Sequence, residues 1–176
     1  MKIDCIIGID PGSAGGIAIF KPGKPLILEK MPKDLAKLKE FMEYHKSISN
    51  PLVFIEKLNV QPGDMNHYGK MVRIQKMLGN FEQLKNAMEW VGLPFILVHP
   101  QKWQSTLKLR LKGVKEEKTV RKARYRDAAQ RLYPEKNIVL WSSDATLLMH
   151  FGRYMVQNDQ NWILQQLPTE VHNTLF

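Results

Sequence analysis

Apolar runs and periodic stripes divide the chain into short strands and longer helices. Three β runs open it, at residues 4–10, 16–20 and 26–30, with Lys21-Pro22-Gly23-Lys24-Pro25 as the turn between the last two. An antiparallel meander is expected. Leu35, Leu38, Phe41 and Met42 then recur at helical spacing and predict a helix over 33–46, broken at Ser49-Asn50-Pro51. Residues 52–56 read as a fourth strand, whose unbroken hydrophobicity suits a central place covered on both faces. Residues 57–68, aperiodic and containing Pro62-Gly63-Asp64, read as a loop projecting from its end. A helix over 70–91 carries Met71, Ile74, Met77, Leu78, Phe81, Leu84 and Met88 as a stripe fit for core packing or a subunit interface. Gly92-Leu93-Pro94 ends it, and residues 95–98 make a fifth strand through a parallel crossover. A helix over 116–132 is stopped by Pro134. The last, over 142–157, starts at Ser142-Ser143 as N-cap residues and places Asp144 in its first turn. The pattern predicts one α/β domain over 1–158 and a tail of weak signals over 159–176.

Composition narrows the class. A chain of 176 residues that is 44% hydrophobic can bury a core without disulfides, and its single cysteine, Cys5, permits no disulfide frame and no cysteine-based zinc site within one chain. No stretch approaches the ~20 apolar residues of a membrane span, and the N-terminus lacks the apolar centre of a signal peptide, so a soluble chain in the reducing cytoplasm, with no membrane partner, is expected. The formal net charge of +9 points toward a polyanion. From Lys102 to Arg131 the basic residues, among them Lys108, Arg110, Lys112, Lys115, Lys118, Arg121 and Lys122, face only Glu116, Glu117 and Asp127. Such a run either keeps a helix face solvated or meets nucleic-acid backbone.

Candidate chemistry gathers at strand ends. Asp10 closes the first apolar run and enters the turn Pro11-Gly12-Ser13-Ala14-Gly15-Gly16. A carboxylate there needs a partner to offset its desolvation, and the glycines leave space beside it and allow unusual backbone angles. The plainer reading is an Asp-Pro-Gly hairpin turn. Glu56 stands alone at the end of the fourth strand, where it could be a surface acid. Asp144 could serve only as a helix-dipole partner. If the first and fourth strands are neighbours, all three acids can meet.

The order of meander, helix, strand, helix, strand and helices is that of the ribonuclease H-like arrangement, a mixed five-stranded sheet flanked by helices. Gly8-Ile9-Asp10-Pro11-Gly12, Phe54-Ile55-Glu56, Val98-His99-Pro100-Gln101-Lys102-Trp103 and Asp144-Ala145 with Leu147-Leu148 resemble motifs of the RuvC-type Holliday junction resolvases, closest to the shorter phage-like members. The resemblance covers about residues 4–157. It implies a metal-dependent endonuclease that resolves four-way DNA junctions, with Asp10, Glu56 and Asp144 holding Mg²⁺ or Mn²⁺. Two such ions about 3.5–4 Å apart can stabilise both the attacking and the leaving oxygen of a phosphodiester. It also implies Lys118 as a basic residue near the scissile phosphate, with Lys115 and Lys122 able to serve equally. A homodimer is implied as well, since a junction offers two equivalent strands. Trp141 is a departure: it stands where the family usually has a fourth ligand, one helical turn before the final acid. His150, about 240° round the helix from Asp144, is no substitute.

Asn59, His67 and Tyr68, in the loop after Glu56, are candidates to stack or wedge between bases. Sugar kinases and actin-like ATPases open on a similar glycine turn that contacts phosphate, but their duplicated second domain has no room in this chain. A non-catalytic branched-DNA-binding module that kept the fold and lost a ligand is the other alternative, and Trp141 favours it.

Overall fold

The computed structural model describes residues 2–12, 14–58, 60, 68–111, 113, 116–168 and 171. Strands β1 (Cys5–Ile9), β2 (Gly16–Phe20) and β3 (Ile27–Lys30) form the meander, and β4 (Pro51–Glu56) and β5 (Phe95–Val98) join it in the order β3-β2-β1-β4-β5. β1 pairs antiparallel with β2 and parallel with β4, and β4 pairs parallel with β5. The sheet is therefore the mixed five-stranded one expected.

Two-residue alternation divides the core between the faces of the sheet. Ile7, Ile9, Ile17, Ile19, Val53 and Ile55 pack against Leu38 and Met42 of α1 (Leu35–Ser47) and against Phe81, Leu84 and Met88 of α2 (Tyr68–Val91). On the other face Ile6, Ala18, Leu52, Phe54, Ile96 and Val98 meet three helices: α3 (Pro100–Thr106) through Trp103, α4 (Lys118–Leu132) through Tyr125 and Ala129, and α5 (Leu140–Asn158) through Ala145, Leu148 and Phe151. β4 is buried on both faces, as its sequence requires.

The α5 helix approaches β1 so closely that a Cβ on Gly8 would lie 2.4 Å from the Ala145 carbonyl oxygen and from the Met149 nitrogen. Only glycine fits there, and the contact sets the height of Asp144 above the sheet.

Three local expectations are corrected. α5 begins two residues early, at Leu140 with Val139 as N-cap, because Ser142 caps from inside the first turn: the Val139 N–H donates to its Oγ at 3.2 Å. Asp144 therefore lies beyond the first turn, and a helix-dipole role no longer accounts for it. The glycines of the opening turn do not use left-handed angles; among the described residues the positive-φ glycines are Gly23, Gly92 and Gly113. Their contribution is space, since a Cβ on Gly15 would press to 2.2 Å from the Asp10 carbonyl oxygen.

Two helices have no counterpart in the hydrophobic pattern. α3 is seven residues long and buries only Trp103; His99 caps it, its Nδ1 accepting the Gln101 N–H at 3.3 Å. α6 (Gln160–Gln166) is capped by Asp159, which accepts the Trp162 N–H at 3.1 Å. Ile163 and Leu167 carry the chain after Asn158 into the core beside α5. Among the described residues no helix is long and apolar enough to cross a membrane.

Candidate metal and nucleic acid site

The register of β1 on β4 builds the site. Ile9 pairs with Ile55, so one further step sets Asp10 beside Glu56 at the carboxyl ends of two parallel strands. The Asp10 N–H donates to the Gly16 carbonyl at 3.0 Å, and the Gly12 N–H donates to Asp10 Oδ1 at 3.3 Å, so the turn fixes both the backbone and the carboxylate. Asp144 is buried, with 7% of its surface exposed, and accepts the Ser143 hydroxyl on Oδ1 at 3.1 Å.

Electrostatics tie the three acids together. Burial raises the Asp10 carboxyl above its ordinary range, and the Asp144 charge raises it further. Glu56 is pushed up to about 8, by burial first and then by Asp10 and Asp144. The opposing charge comes from Lys122, whose ammonium is hydrogen-bonded to Asp144 Oδ2. Burial works against that ammonium, but the pull of Asp144, Asp10 and Glu56 outweighs it and its pKa is raised. The Trp103 indole also draws Glu56 down a little, although its buried Nε1 makes no hydrogen bond of normal geometry among the described residues.

Three carboxylates are the hard-oxygen donor set that Mg²⁺ or Mn²⁺ takes, and their mutual repulsion is the kind a divalent cation relieves. The chemistry of the set fits such an ion. As the side chains stand, however, no three acidic, histidine or cysteine groups among the described residues converge closely enough to hold one ion together. The cation in contact with Asp144 is Lys122.

Around the acids, Trp141 lies against Gly16, with the Lys30 ammonium 6.0 Å from its ring centre. It closes the side where a fourth ligand was sought. A groove of about 860 Å³ opens beside it, lined by Ala14, Lys122, Arg126, Asn137, Val139 and Trp141 among others. His150 is turned to Tyr133, whose hydroxyl is 3.0 Å from its Nδ1.

The predicted basic residues are spread unevenly. Lys118 is exposed at the first position of α4, one turn before Lys122, and it is Lys122 that contacts an acid of the site. Lys102, Lys108 and Arg110 are exposed and Arg121 is half-buried. Lys102 packs its ammonium 5.2 Å from the Trp162 ring centre. Arg110 and Arg121 line a groove of about 490 Å³ with Gln101, Gln104 and Arg124. Arg124 is engaged within the fold, in two hydrogen bonds to Glu116 at 2.9 and 2.7 Å and one to the Leu109 carbonyl. Tyr68 begins α2 and is 80% exposed. Lys112, Lys115, Asn59 and His67 lie outside the described residues.

Sequence reasoning treated Lys122 as interchangeable with Lys118. The two stand four residues apart on one helix face, Lys118 exposed at the start of α4 and Lys122 half-buried one turn further in, against Asp144. In the sequence Trp103 stands out only within a motif; its place five residues after the end of β5, the strand next to the one bearing Glu56, is the available signal.

No protein-family model matches the chain, and no curated protein does. Solved structures do. T. thermophilus RuvC in complex with Holliday junction substrate matches with a TM-score of 0.56 at 12% identity, over 88% of this chain and 96% of that one. A second Thermus thermophilus RuvC structure matches with a TM-score of 0.55 at 12% identity, over 93% of this chain and 98% of that one. The likeness is one of fold: the chain has the RuvC-type, ribonuclease H-like architecture.

Proposed function

We propose that this chain is a divalent-metal-dependent endodeoxyribonuclease that acts on four-way DNA junctions as a homodimer. The observation that carries the reading is the meeting of Asp10, Glu56 and Asp144, from two strand ends and a helix, in one electrostatically coupled corner faced by Lys122 of the basic helix α4. Asp10 and Glu56 would hold Mg²⁺ or Mn²⁺, with Asp144 beside them; such an ion, when bound, supplies Lewis-acid polarisation of a phosphoryl oxygen and lowers the pKa of water.

The chain's own groups do the rest. Glu56, pushed up to about 8 by burial and by Asp10 and Asp144, would give up its proton more readily once a cation offset those charges. Gly12 and the turn hold Asp10 in place, and Ser143 and Lys122 orient Asp144. Trp103 and Trp141 wall the corner, and Lys108, Arg110, Lys118 and Arg121 supply exposed or half-exposed cations for the phosphate backbone.

The test is cleavage of a synthetic four-way junction with Mg²⁺ or Mn²⁺. We expect nicking that Asp10→Asn abolishes while junction binding survives. Near wild-type cleavage by that variant would remove Asp10 from the site.

A second reading, a junction-binding protein without nuclease activity, is favoured by one feature: the ammonium of Lys122 lies on Asp144 and Trp141 fills the place of a further ligand. Tight binding with no nicking in either metal by the unmutated chain decides for it.

A further inference from the structure

The two features that separate this corner from a pair of equivalent ion sites lie on the same side of it. Trp141, one turn before Asp144 on α5, presents an indole to Gly16 and Lys30 and offers no ligand atom. Lys122 reaches across from α4 and bonds Asp144 Oδ2, while Ser143 takes Oδ1. Both oxygens of Asp144 are thereby engaged within the protein. Asp10 and Glu56 are different: they are neighbours one step beyond the Ile9 and Ile55 pair, and among the described residues the Asp10 carboxylate accepts only the Gly12 N–H, at 3.3 Å.

We infer that this chain holds a single divalent cation, between Asp10 and Glu56, and that the Lys122 ammonium on Asp144 stands in the place of a second. The inference rests on the metal-dependent reading above and specifies it. Charge is consistent with it: three carboxylates and one ammonium sum to −2, which one divalent ion cancels and two would reverse. The −1 phosphate of a bound strand would then meet a neutral corner with a fixed ammonium at its edge. A lysine cannot polarise an oxygen as a divalent ion does, but it can stabilise negative charge developing on one. Asp144 in this arrangement is a positioning residue, acting through Lys122.

The test counts ions on the full chain without DNA, by the loss of the free Mn²⁺ signal in electron paramagnetic resonance. We expect one Mn²⁺ per chain, Asp144→Asn to weaken it by less than about fivefold, and Asp10→Asn to weaken it by roughly 100-fold or more. Lys122→Met, checked for folding by circular dichroism, should bind a second Mn²⁺ because Asp144 is released. Two ions on the unmutated chain would overturn the inference while leaving the metal-dependent reading intact. No ion on it would overturn both. Equal weakening by Asp144→Asn and Asp10→Asn would also overturn it, and so would a folded Lys122→Met protein that still takes one ion. If Lys122→Met does not fold, the comparison of the Asp10 and Asp144 variants decides alone.

Discussion

Burial, with Asp10 and Asp144 close by, holds the Glu56 carboxyl up to about 8. Without a cation, the folded chain therefore keeps a proton there that the unfolded chain has released above its ordinary value of 4.5. The folded state binds more protons in that window, so stability is full below about pH 4.5 and is lost as pH rises through about 8. In EDTA, urea melts between these limits should show the midpoint falling with pH, by up to a few kcal/mol in total. Glu56→Gln should flatten that dependence and raise stability at pH 8. A wild-type slope retained in the variant would show that Glu56 does not carry it. The same residue shows why part of the site is legible in the sequence. Asp10 and Glu56 are single acids closing apolar runs, and a parallel pairing of those runs is enough to join them. Lys122 has no such mark. It shares composition, helix and face with Lys118, and only its place one turn further into the packed part of α4 separates them.

At the level of elements, α5 decides the geometry, and the contact that seats it is a glycine in a strand. Gly8→Ala would drive a methyl into the Ala145 carbonyl and the Met149 amide, and backbone on both sides leaves no flexible side chain to yield. We expect a loss of roughly 1–3 kcal/mol in chemical denaturation. Mn²⁺ affinity should change little, because Asp144 and its ammonium partner move while Asp10 and Glu56 stay at the strand ends. Unchanged stability would mean that α5 can slide. The sheet and its long helices were readable because each is long enough for a period to appear. α3 and α6, at seven residues each, are too short to show one and depend on caps from His99 and Asp159. The start of α5 was misplaced for a related reason, since Ser142 caps its helix from the third position inside it rather than from outside.

For the whole molecule, the excess of nine positive charges would make the proposed association with DNA an ion-exchange process. If six or more phosphates are contacted, junction affinity should drop roughly a thousandfold between about 50 and 200 mM salt. Replacing Arg110 and Arg121 together by alanine should reduce the slope of log K against log salt by about 2. An unchanged slope would move the DNA path elsewhere. The proposed dimer belongs to this scale too. The second half of α2 is committed to the core through Phe81, Leu84 and Met88, whereas Met71, Met77 and Leu78 in its first half are half-buried. Sedimentation should show a dimer that Leu78→Asp converts to monomer. A wild-type monomer with full junction affinity would remove the interface. One last consequence follows from the central place of α5, which touches β1, β2, β3 and β4 as well as α3, α4 and α6. Amide hydrogens in such an element exchange only when the whole fold opens, while peripheral helices open separately and sooner. The corner would thus be assembled from parts with unequal lifetimes, and hydrogen exchange should find the Asp144 amide slower than the Lys122 amide. Excursions of α4 alone would then free Asp144 without global unfolding, about a thousand times for each global event if local and global opening differed by about 4 kcal/mol.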